Sequence, residues 1–231
     1  MSTGNTRDGS EFFITPDGKI IPIEDADGMY SFLVGRSESS EKVKEMLWGL
    51  VQECMGKGKT EAAYAYLDKV LSLARTSGEK VSCLAEMAVI CEALRDYQAA
   101  AETYSRALDL PQEPNEILYL LNNNLGYCLN QMERHAEAEK YCCAAIDIAP
   151  DHHNAHKNLG VALQGQGKYA DAARCFIHAT QICPRDSRAL QHLNDLIAAH
   201  KEILDEIPDL LTQLAECHQA VHFGQGESRV Q

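Results

Sequence analysis

The string Gly-Lys-Gly-Lys-Thr at residues 56–60 is the part of the sequence that most strongly suggests chemistry, because Gly-rich loops with Lys and Thr bind nucleotide phosphates. A phosphate-binding loop has the pattern GxxxxGK[ST] and lies between a strand and a helix. Counting back from Gly58, the first Gly of that pattern falls where the chain has Glu53. The residues upstream, EKVKEMLWGLVQECM, have helical periodicity instead of a strand pattern. We therefore predict that the string does not bind a nucleotide.

A second candidate for chemistry is the histidine cluster in DHHNAH, residues 151–156, which follows the pair Cys142 and Cys143. His153 and His156 are three residues apart, so they would share one face of a helix. A zinc site, however, needs about four ligands in tetrahedral geometry, and loose histidine clusters match such patterns easily. The sequence therefore predicts no metal site and no other cofactor.

Catalytic patterns are weaker still. There is no GxSxG and no HExxH, and no cysteine and histidine are paired with an orienting residue. The carboxylates Glu137 and Glu139 are typical of a solvated helix surface, which is the usual place of such charged runs. We therefore expect a protein that is not an enzyme.

Composition and charge narrow the classes of partner. The formal net charge is −13 and there is no basic stripe, which disfavours nucleic acid and anionic membrane surfaces. No apolar run approaches the ~20 residues that span a bilayer, and the first residues do not resemble a secretory signal. The nine irregularly spaced cysteines are typical of reduced thiols packed as small apolar groups. We expect a cytoplasmic protein without membrane insertion.

The elements that position these residues follow from an internal repeat. Residues 119–150 and 153–184 align with an offset of 34 residues. The matched pairs are Leu125 and Leu159, Gly126 and Gly160, Leu129 and Leu163, Ala138 and Ala172, Ala145 and Ala179, and Pro150 and Pro184. This order of a Leu-Gly pair, a later Ala and a final Pro, at this period, resembles the tetratricopeptide repeat. Phe176 occupies the aromatic position of the second stretch, and Cys142 replaces it in the first.

The resemblance implies an all-α, right-handed superhelix of about four helical hairpins, because each repeat is a pair of antiparallel helices. GKGKTEAA aligns with GQGKYADAA at 165–173, so the lysine-rich string becomes the solvated turn of the first hairpin. The expected segments are repeats at about 44–80, 81–118, 119–152 and 153–186, capping helices at 187–222 and a flexible tail at 223–231.

The first 40 residues lie outside the resemblance and are expected to form an N-terminal extension. We predict a disordered start at 1–10, a β-hairpin at 11–23 and one short helix at 25–35. The hairpin prediction depends on Pro16-Asp17-Gly18, since Pro presets φ and Gly supplies a positive φ. Whether this extension occupies the groove of the repeats is left open.

In the family that the chain resembles, the first helix of each repeat lines a concave groove, which usually binds an extended peptide or a helix of a partner. Carried onto this sequence, the expected groove residues are Asn123, Asn124, Tyr127, Asn130, Asn154, Lys157, Asn158, Arg188 and Gln191. Asn124 and Asn158 occupy equivalent positions and would hold a peptide backbone, which offers one donor and one acceptor per residue. Lys157 and Arg188 would bind a negative group.

We therefore predict a protein-interaction module that binds a protein or peptide partner in its groove. The alternative reading for Asn124 and Asn158 is that their amides only satisfy polar atoms on an exposed face. Two alternative functions are a self-assembling scaffold, which forms a homo-oligomer, and a secretion-type chaperone. Trp48, the only tryptophan, is either a groove anchor or a cover for the N-terminal segment, and a core role is an equal alternative.

Overall fold

The computed structural model describes residues 2–5, 11–15, 19–36, 39–111, 113 and 115–226. The chain forms two compact units, Met1–Asp96 and Tyr97–Gln231. The described part of the first unit contains strands β1 (Ser2–Asn5), β2 (Glu11–Ile14) and β3 (Ile20–Pro22) and helices α1 (Ala26–Arg36), α2 (Ser40–Gly56), α3 (Thr60–Leu73) and α4 (Ser77–Ala93). The second contains helices α5 (Tyr97–Leu108), α6 (Glu116–Gln131), α7 (His135–Ile148), α8 (His153–Gly165), α9 (Tyr169–Ile182), α10 (Arg188–Ala199), α11 (Ile203–Glu206) and α12 (Leu210–Gly226). The predicted fold class, helical hairpins with a small N-terminal β extension, is confirmed.

The N-terminal strands form an antiparallel sheet in the order β1-β2-β3. The pairing of β2 with β3 matches the predicted hairpin, and in it the buried Phe13 lies opposite the buried Ile21. The expected turn at residues 16–18 lies outside the described residues. Helix α1 matches the predicted short helix, and its Met29 and Leu33 are buried in the same core as Phe13 and Ile21.

The prediction that residues 1–10 are disordered is wrong for Ser2–Asn5, which pair with β2 in the register Ser2 to Ile14. The Ser-Thr-Gly-Asn sequence of β1 has little strand propensity, so the signal is absent from its composition. Strand formation comes from the free edge that β2 offers, and from Gly4, where a Cβ would lie 2.8 Å from the Phe12 ring.

The first helical hairpin, α2 and α3, begins four residues before the predicted start of the first repeat. Ser39 caps α2 by accepting a hydrogen bond from the Lys42 N–H at 3.3 Å. Helix α4 likewise begins at Ser77, before the predicted start at 81, because Thr76 and Glu79 form a capping box. Local capping therefore moves both helix starts towards the N-terminus.

The turn between α2 and α3 is the GKGKT string, as the alignment predicted, but its lysines are not merely solvated. Lys59 Nζ lies 2.7 Å from Glu24 Oε1 and 3.4 Å from Glu11 Oε2. Lys57 Nζ lies 2.9 Å from Glu53 Oε1 and 3.4 Å from Glu11 Oε1. Both lysines thus join the first hairpin to carboxylates of the N-terminal extension.

In the second unit, the repeated glycines lie where paired helices approach most closely. A Cβ at Gly126 of α6 would lie 2.6 Å from Cys142 Sγ of α7, and a Cβ at Gly160 of α8 would lie 2.5 Å from the Phe176 ring of α9. Cys142 therefore fills in its own repeat the space that Phe176 fills in the next. This is the close contact that the Leu-Gly signature requires.

Helices α10, α11 and α12 cover the last apolar face, as expected for capping helices. Leu193, Leu196, Ile203 and Leu210 are fully buried in one cluster with Phe176 of the last repeat. Helix α12 continues to Gly226, so the prediction of a flexible tail from residue 223 is wrong for its first four residues; residues 227–231 lie outside the described part. No helix of the described residues is both long and apolar enough to cross a bilayer.

Candidate functional site

A pocket of about 350 Å³ lies in the second unit, between the helices α6, α8 and α10. Its lining residues are Tyr127, Asn130 and Gln131 of α6, Lys157, Asn158 and Val161 of α8, and Arg188, Gln191, His192 and Asp195 of α10. Six of the nine predicted groove residues therefore come together here: Tyr127, Asn130, Lys157, Asn158, Arg188 and Gln191. The other three, Asn123, Asn124 and Asn154, contact lining residues or their neighbours, as described below.

The repeat period explains why these side chains converge. Tyr127, Val161 and Asp195 are successively 34 residues apart and project from equivalent positions of the alternate helices α6, α8 and α10. Helix α10 thus contributes to the site as the first helix of a fifth repeat would. The sequence reasoning missed Asp195, although the offset of 34 residues, continued beyond the last recognisable repeat, leads directly to it.

The floor of the pocket is a continuous network of asparagine side chains. Asn130 Nδ2 donates to the Asn158 carbonyl at 2.8 Å, and Asn158 Nδ2 donates to Asn123 Oδ1 at 3.0 Å. Asn123 Nδ2 donates in turn to Asn124 Oδ1 at 2.9 Å, and Asn124 Nδ2 donates to the Tyr104 hydroxyl at 3.1 Å. Because these groups are mutually hydrogen-bonded, the network holds α6 and α8 in register and fixes the amide orientations.

This network changes the roles expected of Asn124 and Asn158. The carboxamide of Asn124 uses its donor and its acceptor within the protein, and Asn124 does not line the pocket. Asn158 does line it, and its carboxamide oxygen has no hydrogen-bond donor among the described residues. The two equivalent asparagines therefore do not present the same groups to a ligand.

Lys157 is the most unusual side chain of the pocket. Only 9% of the residue is exposed, and Nζ donates to Asn154 Oδ1 at 3.2 Å. No carboxylate of the described residues lies within ion-pair distance of this ammonium. Burial, together with the nearby Arg188 charge, lowers the Lys157 pKa. The pocket therefore contains a desolvated positive charge that lacks a counter-ion within the described chain.

Arg188, in contrast, is already paired. Its Nε donates to Asp186 Oδ1 at 2.8 Å, and its Nη2 also donates to Asn154 Oδ1 at 3.2 Å. Asp186 Oδ2 also lies 3.0 Å from His153 Nε2. The guanidinium holds the pKa of the Asp186 carboxyl well below its usual range. This cluster fixes the direction of Arg188 at the pocket rim while the guanidinium stays exposed.

His192 forms a wall of the pocket and stacks on Phe176 of α9, with ring centroids 5.2 Å apart. Burial and the Lys157 charge lower its pKa.

The histidines of the DHHNAH string make separate contacts. His153 contacts Asp186, His152 lies against the Tyr119 ring, and His156 Nε2 lies 2.7 Å from the Pro150 carbonyl oxygen. Within the described residues, no three His, Cys, Asp or Glu side chains form a group suited to a metal ion.

Comparison with known families agrees with this architecture. Models described as tetratricopeptide repeat match residues 45–77, 83–118 and 116–185, which together make up more than half of the chain. The chain belongs to the tetratricopeptide repeat family. It is accordingly a protein-interaction module of the tetratricopeptide type, and the matched ranges include the helices α6 and α8 that form most of the pocket.

Two curated relatives are similar over part of the chain. One is the DnaJ homolog subfamily C member 7 homolog of Dictyostelium discoideum, 26% identical over 110 residues, which are 48% of this chain and 20% of the relative. The other is heat shock protein STI1 of Saccharomyces cerevisiae, 26% identical over 121 residues, which are 52% of this chain and 20% of the relative. The chain thus matches about a fifth of the length of each relative.

Solved structures share the fold. MamA from Desulfovibrio magneticus RS-1 is 22% identical with a TM-score of 0.62, covering 77% of this chain and 96% of that one. YrrB, described as a TPR protein with an unusual peptide-binding site, is 18% identical with a TM-score of 0.59, covering 89% of this chain and 100% of that one. At these identities the similarity shows the common fold.

Proposed function

We propose that the pocket between α6, α8 and α10 binds an extended segment of a partner protein through a carboxylate of that segment. The observation that carries the proposal is the buried ammonium of Lys157, which has no counter-ion among the described residues. Keeping a desolvated charge costs folding free energy, and a carboxylate ligand would offset that cost. A protein partner is consistent with the similarity to YrrB, which has a peptide-binding site, and to STI1, which is a heat shock protein.

The other lining residues give the carboxylate its surroundings. Arg188, oriented by Asp186, would add a second positive charge at the rim and could donate to the carboxylate through Nη1, because its Nε and Nη2 donate to Asp186 and Asn154. The carboxamide oxygen of Asn158, which has no donor among the described residues, and the amide of Gln191 would hold the adjoining peptide backbone. Asp195 adds a negative charge at one side, so it would disfavour a second carboxylate there. The binding reaction needs no catalytic group.

The test compares two peptides that differ only in charge. An acetylated alanine pentapeptide with a free C-terminal carboxylate is titrated against the same peptide with a C-terminal amide, and NMR follows the side-chain amides of Asn158 and Gln191. We expect the carboxylate peptide to bind at least about tenfold more tightly, since hydrogen bonds to charged groups contribute about 1.5–3 kcal/mol. Equal affinity for the two peptides would contradict a carboxylate site.

The matched variants are Lys157→Met and Lys140→Met. Lys140 lies exposed on α7 outside the pocket, so its replacement changes the net charge equally without removing a lining residue. Lys157→Met should abolish the preference for the carboxylate peptide, and Lys140→Met should retain it. Lys157 is a more discriminating position than Asn158, because replacing Asn158 would also break the asparagine network that holds α6 and α8 together.

A further inference from the structure

A second pocket, of about 300 Å³, lies in the unit Met1–Asp96 and is lined by residues of α2, α3 and α4. Its walls are apolar: Trp48 of α2, Val70 of α3 and Cys83 of α4. Trp48 is half-buried and packs against the core of this unit, so it is both a core residue and a pocket wall. None of the described residues 2–5, 11–15 and 19–36 lines the pocket. The volume is at the lower end of the range for ligand sites and suits a single side chain.

The rim of this pocket is acidic. Glu41 and Glu45 of α2 and Glu79 of α4 line it together with one ammonium, that of Lys44. Lys44 Nζ lies 2.9 Å from Glu41 Oε1 and also bonds Glu79 Oε1, so it is shared between these two carboxylates. Glu45 is exposed and makes no ion pair within the described residues. Three carboxylates against one ammonium leave an excess of negative charge beside the exposed part of Trp48.

We propose that this pocket holds a lysine or arginine side chain from a basic segment of a partner protein. A long basic side chain packs its aliphatic stem on apolar surface while its charge stays at the water boundary. Here the stem would lie against Trp48 and Val70, and the charge would reach Glu45. Tryptophan is also the aromatic residue that attracts a cation most strongly over its face.

Within the chain, Lys44 already makes the kind of contact that is proposed for the ligand. Its ammonium already lies between two rim carboxylates, and its side chain is 14% exposed. The proposed ligand would use Glu45, the carboxylate that Lys44 leaves unpaired. The charge preference is opposite to that of the Lys157 pocket, so the two sites would select different parts of a partner, and each can fail without the other.

Trp48 makes the test direct, because it is the only tryptophan of the chain and reports from the pocket wall. The probe is a blocked peptide, Ala-Arg-Ala-Arg-Ala, titrated to about 1 mM, a range that detects weak binding. Its matched counterpart replaces each Arg by citrulline, which keeps the shape and removes the charge. We expect the arginine peptide to shift Trp48 emission saturably and the citrulline peptide to bind at least about fivefold more weakly. Equal responses to both peptides, or no response to either, would overturn the proposal.

The variants Glu45→Lys and Asp68→Lys separate a local contact from the general effect of negative charge. Both positions are exposed and lie in the same unit, and Asp68 on α3 is outside the pocket. Glu45→Lys should weaken binding of the arginine peptide about tenfold, whereas Asp68→Lys should leave it within about twofold. Equal weakening by the two variants would show non-specific attraction and overturn the site. Both variants should still respond to the carboxylate peptide at the Lys157 pocket.

Discussion

At the scale of single residues, Lys157 combines a functional role with a cost to folding. Its pKa is lowered mainly by burial, which means that the folded state disfavours the charged form. For a lysine with a lowered folded pKa, this cost is fully present below the folded pKa, decreases as the pH rises above it, and disappears above the ordinary pKa of about 10.4. The residue is therefore retained at the expense of stability, which is typical of binding sites.

The corresponding prediction concerns the stability of Lys157→Met, the variant that should lose carboxylate binding. Methionine is unbranched and apolar and fills a similar space, so it removes the buried charge without a large cavity. We expect the free energy of unfolding at pH 7 to rise by about 1 kcal/mol, measured by urea denaturation. The exposed control Lys140→Met should change it by less than about 0.5 kcal/mol. A loss of stability in Lys157→Met would mean that the ammonium is satisfied in the folded protein.

At the scale of elements, the hairpin turns show how far the repeat pattern determines local structure. Residues with a positive φ lie at the turns that follow α2, α4, α6 and α8: 69° at Gly58, 62° at Arg95, 59° at Glu133 and 75° at Gly167. The alignment of Gly58 with Gly167 predicted two of these turns. Arg95 and Glu133 adopt the same conformation without glycine, so this turn does not require a glycine.

Two glycines of the first hairpin should therefore respond to alanine in opposite directions. Gly58→Ala places a side chain at a positive φ and should lower the free energy of unfolding by about 1 kcal/mol. Gly49→Ala lies within α2, where a Cβ meets nothing within 4 Å, and should raise it by about 0.5–1 kcal/mol. Chemical denaturation of both variants measures the difference. If the two variants changed the free energy of unfolding in the same direction, the placement of Gly49 within α2 and of Gly58 in the turn would be contradicted.

The elements also show what the sequence could not predict. The 34-residue offset predicts the hairpins and most of the pocket lining, because the period of a repeat is visible in the order of residues along the chain. The strand Ser2–Asn5 depends on the edge of β2, and the asparagine network depends on the distance between α6 and α8. Neither leaves a pattern in neighbouring residues. The resemblance predicted Asn123 and Asn124 as groove residues, but their hydrogen-bond partners required the three-dimensional structure.

At the scale of the whole molecule, the net charge is −13, so carboxylates outnumber the basic side chains that can pair with them. Lys57 and Lys59 belong to the string that suggested a phosphate site, yet they contact Glu11 and Glu24 of the N-terminal extension. Hydrogen bonds to Glu24 and Glu53 raise the pKa values of Lys59 and Lys57, respectively, so both stay charged at neutral pH. The string thus serves as a turn that anchors the extension over the core of the first unit.

The double variant Lys57→Gln, Lys59→Gln tests this anchor. These ion pairs are partly exposed, so we expect only a small loss in the free energy of unfolding, which decreases at high salt. Amide hydrogen exchange should accelerate at Ile23, whose N–H donates to the Glu11 carbonyl at 3.1 Å and closes the sheet beside the anchor. The variant Lys42→Gln, Lys140→Gln removes the same charge from exposed positions and should leave this amide protected. Because the anchor lysines are engaged by carboxylates, ATP should not shift the melting temperature of the unmodified protein, and a concentration-dependent increase would restore the phosphate-binding interpretation.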